Sequence, residues 1–114
     1  MKIAHIEDDP AFALLFKSLN PDIEIIHFCC LSDYVDANYS FVVTDLSLPD
    51  GFGVETIDRL KGMTRKPIVA LTGIASGHMS EESKQLILDH GAYGVFCKDN
   101  PCIDSMIASI VEAA

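Results

Sequence analysis

The sequence has few basic residues: eight Lys and Arg stand against seventeen Asp and Glu, and the formal net charge is −9. Because the phosphate backbone of a nucleic acid attracts Lys and Arg, this balance argues against direct nucleic-acid binding. Apolar residues make up 49% and charged residues 22% of the chain, which is ordinary globular usage and argues against disorder. We expect one cooperative domain with one core over residues 1–114.

Long apolar runs and CxxC pairs are also missing. No apolar run approaches 18 residues, and the N-terminus turns acidic within seven residues, so we expect a cytoplasmic protein that does not contact a membrane. Two of the four cysteines are adjacent, and none forms a CxxC pair. We therefore expect reduced thiols that act as small apolar residues in strands and in a helix, namely Cys29, Cys30, Cys97 and Cys102.

Short apolar runs that suit β-strands alternate with amphipathic segments along the chain, without a repeat or a linker between them. This alternation predicts a parallel sheet with helices on both faces. We expect five strands, at 2–6, 23–29, 41–44, 67–72 and 94–97. We expect five helices: from Asp9-Pro10 to Asn20-Pro21, over 32–39, from Val54 to a stop at Gly62, from Ser80 to Gly91, and from Asn100-Pro101 onward.

Polar side chains follow four of these predicted strands. The first strand runs into Glu7-Asp8-Asp9, the third runs into Asp45, the fourth ends in Thr72 and the fifth runs into Lys98. Open α/β sheets bind their ligands at the carboxyl ends of the strands. We therefore expect these side chains to meet at one edge of the sheet.

Three of these side chains are carboxylates, those of Glu7, Asp8 and Asp45. Like charges so close together resist joint ionisation unless a cation lies between them. Oxygen ligands favour Mg²⁺, Ca²⁺ or Mn²⁺ over zinc, and a site with few protein ligands suits Mg²⁺ best. The alternative is that these acids are ordinary helix caps and solvated loop charges, which Thr72 and Lys98 at two further strand ends argue against.

With Leu48-Pro49-Asp50-Gly51 after Asp45, this ordered set resembles the receiver domain of bacterial response regulators, including the single-domain chemotaxis regulator, over nearly the whole chain. The resemblance implies a flavodoxin-like, doubly wound (βα)5 fold, with a five-stranded parallel sheet of order 2-1-3-4-5. It also implies that Asp45 is the phosphoacceptor, and that Asp8 and Asp45 bind Mg²⁺ through their side chains and Ser47 through its backbone carbonyl. Glu7 completes the site directly or through water, Thr72 moves toward the new phosphoryl group and Lys98 pairs with its oxygens.

The function that the resemblance implies is that of a phosphoacceptor in a two-component phosphorelay. A histidine kinase or histidine phosphotransfer protein phosphorylates Asp45, which switches a surface made by the fifth strand and the two helices beside it. An unknown output protein reads that surface, because no output domain is expected within residues 1–114. Such a domain catalyses only its own phosphorylation and dephosphorylation, and it is not otherwise an enzyme.

The chain departs from the family's pattern at two positions. Val95 stands where an aromatic residue usually precedes the lysine by three positions, while Phe96 should point to the other face and join the core. Asp99 stands where many members have a proline after a cis bond. The first departure mildly favours an alternative: a pseudo-receiver, which would act as an interaction module independently of phosphorylation.

Two enzymatic or cofactor-binding alternatives fit the sequence poorly. A haloacid-dehalogenase-like phosphatase needs a second Asp two residues after its nucleophile, where this chain has Ser47. A flavodoxin-like cofactor binder needs a Ser, Thr and Gly loop where the acidic run 7–9 stands. Of the histidines, we expect His5 to be a hydrogen-bonded core residue and His27 and His90 to lie at the surface.

Overall fold

A computed structural model describes residues 1–73, 80–98 and 103–113; in the last segment it describes the side chains of 103–108 and 110. The main sheet has the strands β1 Lys2–Ile6, β2 Glu24–Phe28, β3 Val42–Thr44, β4 Ile68–Thr72 and β5 Gly94–Cys97. The helices are α1 Pro10–Leu19, α2 Val54–Lys61, α3 Glu81–Asp89 and α4 Ile103–Ala113. All five strands agree with the predicted ones to within a residue at each end.

All strands of this sheet are parallel, and they lie side by side in the order β2-β1-β3-β4-β5. This order confirms the predicted one. Every residue of β3 and β4 is buried, as expected of central parallel strands that are covered on both faces. The carboxyl ends of the strands consequently meet at one edge.

The helices cover the sheet from both sides, which confirms the predicted layers. Because successive strand residues point to opposite faces, the sheet separates two buried clusters. One contains Ile57 of α2 and Ile87 of α3. The other contains Phe16 of α1, with Ile103 and Met106 of α4. The core therefore consists of two apolar layers with the sheet between them.

The segment between β2 and β3 corrects the prediction, because it has a 3₁₀ turn at Leu31–Asp33 and irregular structure over 34–41 where a helix was expected. The candidate helix was short, and three of its residues are Asp or Asn, which favour turns over helix interiors. Its two tyrosine rings are buried instead, with the Tyr34 hydroxyl donating to Asp36 at 2.7 Å and the Tyr39 hydroxyl donating to the Val35 carbonyl at 3.0 Å. Aromatic side chains thus cover the part of the sheet that a helix would have covered.

The loop after β3 is more ordered than expected, because Ser47–Leu48 pairs antiparallel with Gly51–Phe52 in a small hairpin. Asp50 at its tip accepts hydrogen bonds from the backbone N–H groups of Leu31 and Ser32, both at 2.9 Å. Burial opposes the charged form of Asp50, but these two donors outweigh it and lower the pKa of its carboxyl. The hairpin is thereby tied to the turn after β2.

The cysteines Cys29, Cys30 and Cys97 are free thiols, as predicted. The expected apolar role is wrong for the adjacent pair, because both residues follow the end of β2 and Cys29 is exposed. Cys102, residues 74–79, the predicted helix start at Asn100-Pro101 and the Lys98-Asp99 bond lie outside the described residues. Within the described part of the chain, no helix is long and apolar enough to span a membrane.

Candidate functional site

The end of β1 places Glu7 inside the molecule and Asp8 and Asp9 at its surface. The Glu7 backbone N–H donates to the Phe28 carbonyl at 2.9 Å, so the chain still follows the sheet when it reaches Glu7, whose side chain is fully buried. Asp9 then caps α1: its Oδ1 accepts the Ala11 N–H at 3.0 Å, and Pro10 begins the helix. The predicted cap and start of this helix are confirmed.

Asp45 directly follows β3, and its backbone N–H donates to the Ile6 carbonyl of the neighbouring β1 at 3.0 Å. Its side chain is almost fully buried, and its Oδ1 accepts the Ser47 N–H at 3.2 Å. Glu7, Asp8 and Asp45 each have a carboxylate oxygen within 4.8 Å of those of the other two. The structure therefore brings together the three acids that the sequence singled out.

Lys98 reaches into this acidic group from the end of β5. Its backbone N–H donates to the Thr72 carbonyl at 2.9 Å, which fixes the start of the side chain. Its Nζ lies 2.6 Å from Glu7 Oε1, as an ion pair, and donates to Asp45 Oδ2 at 3.2 Å. The ammonium group thus contacts two of the three carboxylates.

Burial and charge determine the protonation states in this cluster. Burial raises the pKa of Glu7 to about 7, and the neighbouring Asp45 adds to this, although the Lys98 ammonium and the Asp9 N–H act in the opposite direction. Burial would lower the pKa of Lys98, but its contacts with Glu7 and Asp45 outweigh that and raise it. Lys98 is therefore a permanent cation here, whereas Glu7 is close to its titration midpoint at neutral pH.

The donor set suits a hard divalent cation. Three carboxylates with one ammonium leave about two negative charges unbalanced when all are ionised, and the oxygen ligands are those that Mg²⁺ prefers. Glu7 has Lys98 at Oε1 and the Asp9 N–H at Oε2, at 3.1 Å, so both of its oxygens are engaged. Asp8 is exposed and Asp45 lies beside it, so these two carboxylates are placed where they could bind such a cation.

Solved structures with similar folds are receiver domains. A two-component response regulator from Clostridium difficile shares 21% identity and a TM-score of 0.75, over 99% of this chain and 93% of that one. The BeF3-activated N-terminal receiver domain of Klebsiella pneumoniae RstA is 24% identical in sequence, with a TM-score of 0.77, and the match covers 95% of this chain and 94% of that one. The receiver domain of the Francisella response regulator 1452 is 20% identical, with a TM-score of 0.75, and the match covers 96% of this chain and 93% of that one.

This chain has the receiver fold. The agreement extends over nearly the whole chain in each of these structures, so the predicted architecture is confirmed. No family model matches the sequence, and no curated protein matches it. The assignment therefore depends on the three-dimensional likeness and on the placement of the site residues.

Two further positions in this receiver fold agree with the sequence interpretation. Thr72 is the last residue of β4 and is buried among the residues that line the site. Val95 packs against the cluster that contains Ile57 and Ile87, whereas Phe96 packs against the opposite cluster. Phe96 therefore belongs to the core, as predicted, and Val95 is on the face where the family usually has its aromatic residue.

A groove with a volume of about 820 Å³ lies at the carboxyl edge of the receiver fold and includes the acidic cluster. Its lining includes the charged Asp8, Asp45 and Lys98 as well as the apolar Phe52 of the hairpin and Leu86 of α3. Phe52 is 75% exposed and Leu86 is 50% exposed. Asp45 is almost fully buried but still lines this groove.

The prediction for His5 is half right. The ring is fully buried, as expected, but neither of its nitrogens has a hydrogen-bond partner in the described part of the chain, so the expected hydrogen bond is wrong. Its neighbours are rings instead: Phe16 lies at 4.4 Å and Phe12 at 6.0 Å between centroids. Burial, together with His27 and Lys98, lowers the pKa of His5 to about 3, so it is neutral at physiological pH.

Sequence reasoning missed two residues that touch Lys98. The Phe12 ring lies beneath its ammonium group, with 4.7 Å between Nζ and the ring centroid. Gly73 adjoins the stem, since a Cβ on this glycine would lie 3.2 Å from Lys98 Cδ. Phe12 was visible in the sequence only as an apolar helix position, which has no feature that distinguishes it from core.

Proposed function

We propose that this chain is a phosphoacceptor receiver of two-component signalling, which takes a phosphoryl group onto Asp45 from a histidine kinase or histidine phosphotransfer protein. The observation that supports this most directly is the position of Asp45, which lies close to the carboxylates of Glu7 and Asp8 and has the Lys98 ammonium in contact with its Oδ2. A carboxylate in such a setting is suited to phosphoryl transfer, because transfer depends mainly on positioning and on neutralising the oxygens that move.

In the transfer, an Asp45 carboxylate oxygen attacks phosphorus, the bond from phosphorus to the donor imidazole nitrogen breaks, and that nitrogen keeps the electron pair. Asp8, Asp45 and the Ser47 backbone carbonyl, with Glu7 directly or through water, would hold Mg²⁺, which would supply positive charge to neutralise phosphoryl oxygens. Lys98 supplies a second positive charge in contact with Asp45 Oδ2. The Ser47 N–H orients the nucleophile through its bond to Oδ1.

The aspartyl phosphate adds negative charge and acceptor oxygens at the end of β3. Thr72 at the end of β4 and Lys98 at the end of β5 are the donors that would turn toward it. Both residues adjoin segments that lead to α3 and α4, so a shift of either changes the surface formed by α3, β5 and α4. An output protein binds that surface, and the chain itself catalyses only its own phosphorylation and dephosphorylation.

The test is the mass of the intact protein after incubation with Mg²⁺ and acetyl phosphate. The wild type should gain one phosphoryl group that is lost at alkaline pH, while Asp45→Asn and wild type with EDTA should gain none. Gain by both the wild type and Asp45→Asn would place the phosphoryl group elsewhere. No gain by a folded wild type that binds Mg²⁺ would favour the alternative, an interaction module that acts independently of phosphorylation.

A further inference from the structure

The Lys98 ammonium has a third neighbour besides the two carboxylates. Its Nζ lies 4.7 Å from the centre of the Phe12 ring, within the range in which a cation is attracted to an aromatic face. Gly73 lies near the same side chain, because a Cβ added at this glycine would stand 3.2 Å from Cδ and 3.6 Å from Cε of Lys98. Lys98 therefore has a ring neighbour at its charged end and a glycine near its stem.

The Phe12 ring is itself fixed by the fold. It belongs to the first turn of α1, directly after the cap at Asp9 and Pro10. It meets the His5 ring edge to face, at 6.0 Å and 68°, and it stacks on Phe16 at 6.3 Å and 24°. A partly buried ring with two aromatic neighbours is a rigid platform, in contrast to the flexible four-carbon stem of a lysine.

We propose that Phe12 is a positioning residue for Lys98, whose ring face holds the ammonium between Glu7 and Asp45. Without the ring, Lys98 Nζ retains only its two carboxylate partners and some exposure to solvent, so it can follow Glu7 inward or swing out toward exposed Asp8. With the ring, it stays within 3.2 Å of Asp45 Oδ2. This role rests on the proposed function, because the position matters for a phosphoryl group that arrives on Asp45.

Three variants distinguish the effect of the aromatic face of Phe12 from the effect of its bulk. Phe12→Leu keeps an apolar side chain of similar size but removes the π face, and Phe12→Tyr keeps the face. Phe16→Leu is the matched control, because it is the same change on the same helix in a ring that packs on Phe12 and His5. All four proteins are first compared by thermal unfolding, so that rates are measured only on folded protein.

The first measurement is the NMR position of the Lys98 side-chain methylene signals, with Lys98→Gln used to assign them. Protons above an aromatic face are shifted upfield, so these signals should be upfield in the wild type and in Phe12→Tyr. They should move toward ordinary lysine positions in Phe12→Leu and stay near the wild-type positions in Phe16→Leu. This readout needs neither Mg²⁺ nor a phosphodonor.

The second measurement is the rate of phosphorylation by acetyl phosphate at saturating Mg²⁺, together with the dissociation constant for Mg²⁺. Phe12→Leu should react about threefold to tenfold more slowly with Mg²⁺ affinity unchanged, Phe12→Tyr should restore the rate, and Phe16→Leu should react as the wild type does. A lost cation–π contact predicts this range, and a metal ligand would instead change the Mg²⁺ affinity.

Several results would overturn the proposal: Lys98 signals that are the same in wild type and Phe12→Leu, a normal rate in Phe12→Leu, or a slow Phe12→Tyr. Equal slowing by Phe16→Leu would also overturn it, since the effect would then be general loosening of α1. If the wild type takes no phosphoryl group, the proposed function fails separately, and the NMR comparison alone decides whether the ring holds Lys98.

Discussion

Lys98 Nζ lies 2.6 Å from Glu7 Oε1, and this ion pair joins the end of β5 to the end of β1 across the site. The Glu7 side chain is fully buried, whereas the Lys98 side chain is 19% exposed to solvent. Lys98 is therefore the counter-ion of a buried carboxylate as well as a partner of Asp45. That double role has a measurable consequence for stability.

Replacing Lys98 by Met should destabilise the Mg²⁺-free protein, because the buried Glu7 loses its cation. Breaking a fully buried pair costs about 3–5 kcal/mol. We expect roughly 2 kcal/mol, since Lys98 is partly exposed and Glu7 can take up a proton. Urea unfolding in EDTA measures the change, with the exposed Lys17→Met as the matched control, and Mg²⁺ affinity should be retained. Loss of Mg²⁺ binding in Lys98→Met would contradict the role assigned to Lys98.

Magnesium should stabilise the wild type much more than Asp8→Ala. Asp8 is exposed, so its removal costs the fold little but takes away a proposed metal ligand. At a Mg²⁺ concentration ten times the dissociation constant, ligand binding adds about 1.4 kcal/mol to the free energy of unfolding. Thermal midpoints with and without Mg²⁺ measure this, and Asp22→Ala, another exposed acid, should respond as the wild type does. If Mg²⁺ raised the thermal midpoints of the wild type and Asp8→Ala equally, Asp8 would not be a metal ligand.

The Mg²⁺-free wild type should become more stable as the pH falls from 8 to 6.5. The folded-state pKa of Glu7, about 7, lies above its value of 4.5 in the unfolded chain. The folded state therefore binds a proton that the unfolded state does not, and the penalty for burying the charge disappears as the pH falls through 7. The gain should be of the order of 1 kcal/mol over this range. Urea unfolding in EDTA measures it, and Glu7→Gln should remove the slope; a slope that persists there would belong to another group.

Below pH 6.5, His5 should offset the gain that Glu7 continues to give, because the two groups titrate in opposite senses. The folded-state pKa of His5, about 3, lies below its value of 6.5 in the unfolded chain, so the folded state resists a proton that the unfolded state accepts. The contribution of neutral His5 to the free energy of unfolding is fully present above pH 6.5 and is lost as the pH falls toward 3. By pH 5 this loss is about 2 kcal/mol. His5→Leu suits the surrounding rings and should remove this loss in denaturant titrations at pH 7.5 and pH 5. An unchanged difference between the two pH values would show that His5 does not cause it.

The strands and the site acids could be predicted because their signals are local. Gly94–Cys97 was predicted to the residue, since its apolar run is bounded on one side by a glycine and on the other by Lys98. Glu7, Asp45 and Lys98 follow strands and Thr72 ends one, and parallel strands end at one edge whatever the details of packing. The missing second helix was not predictable in this way, because the burial of the Tyr34 and Tyr39 rings competed with a weak helical pattern.

The sequence by itself determined where the five strands and four of the helices occur along the chain, the acidic edge and the residue types that meet there, because hydrophobic periodicity and the residues at strand ends are properties of neighbours along the chain. Only the tertiary structure decided that Lys98 pairs with Glu7 as well as Asp45, that Phe12 lies under its ammonium group and that His5 has rings for neighbours. Those contacts join residues as many as 91 positions apart, and distances of a few ångströms between such residues depend on how the helices pack on the sheet.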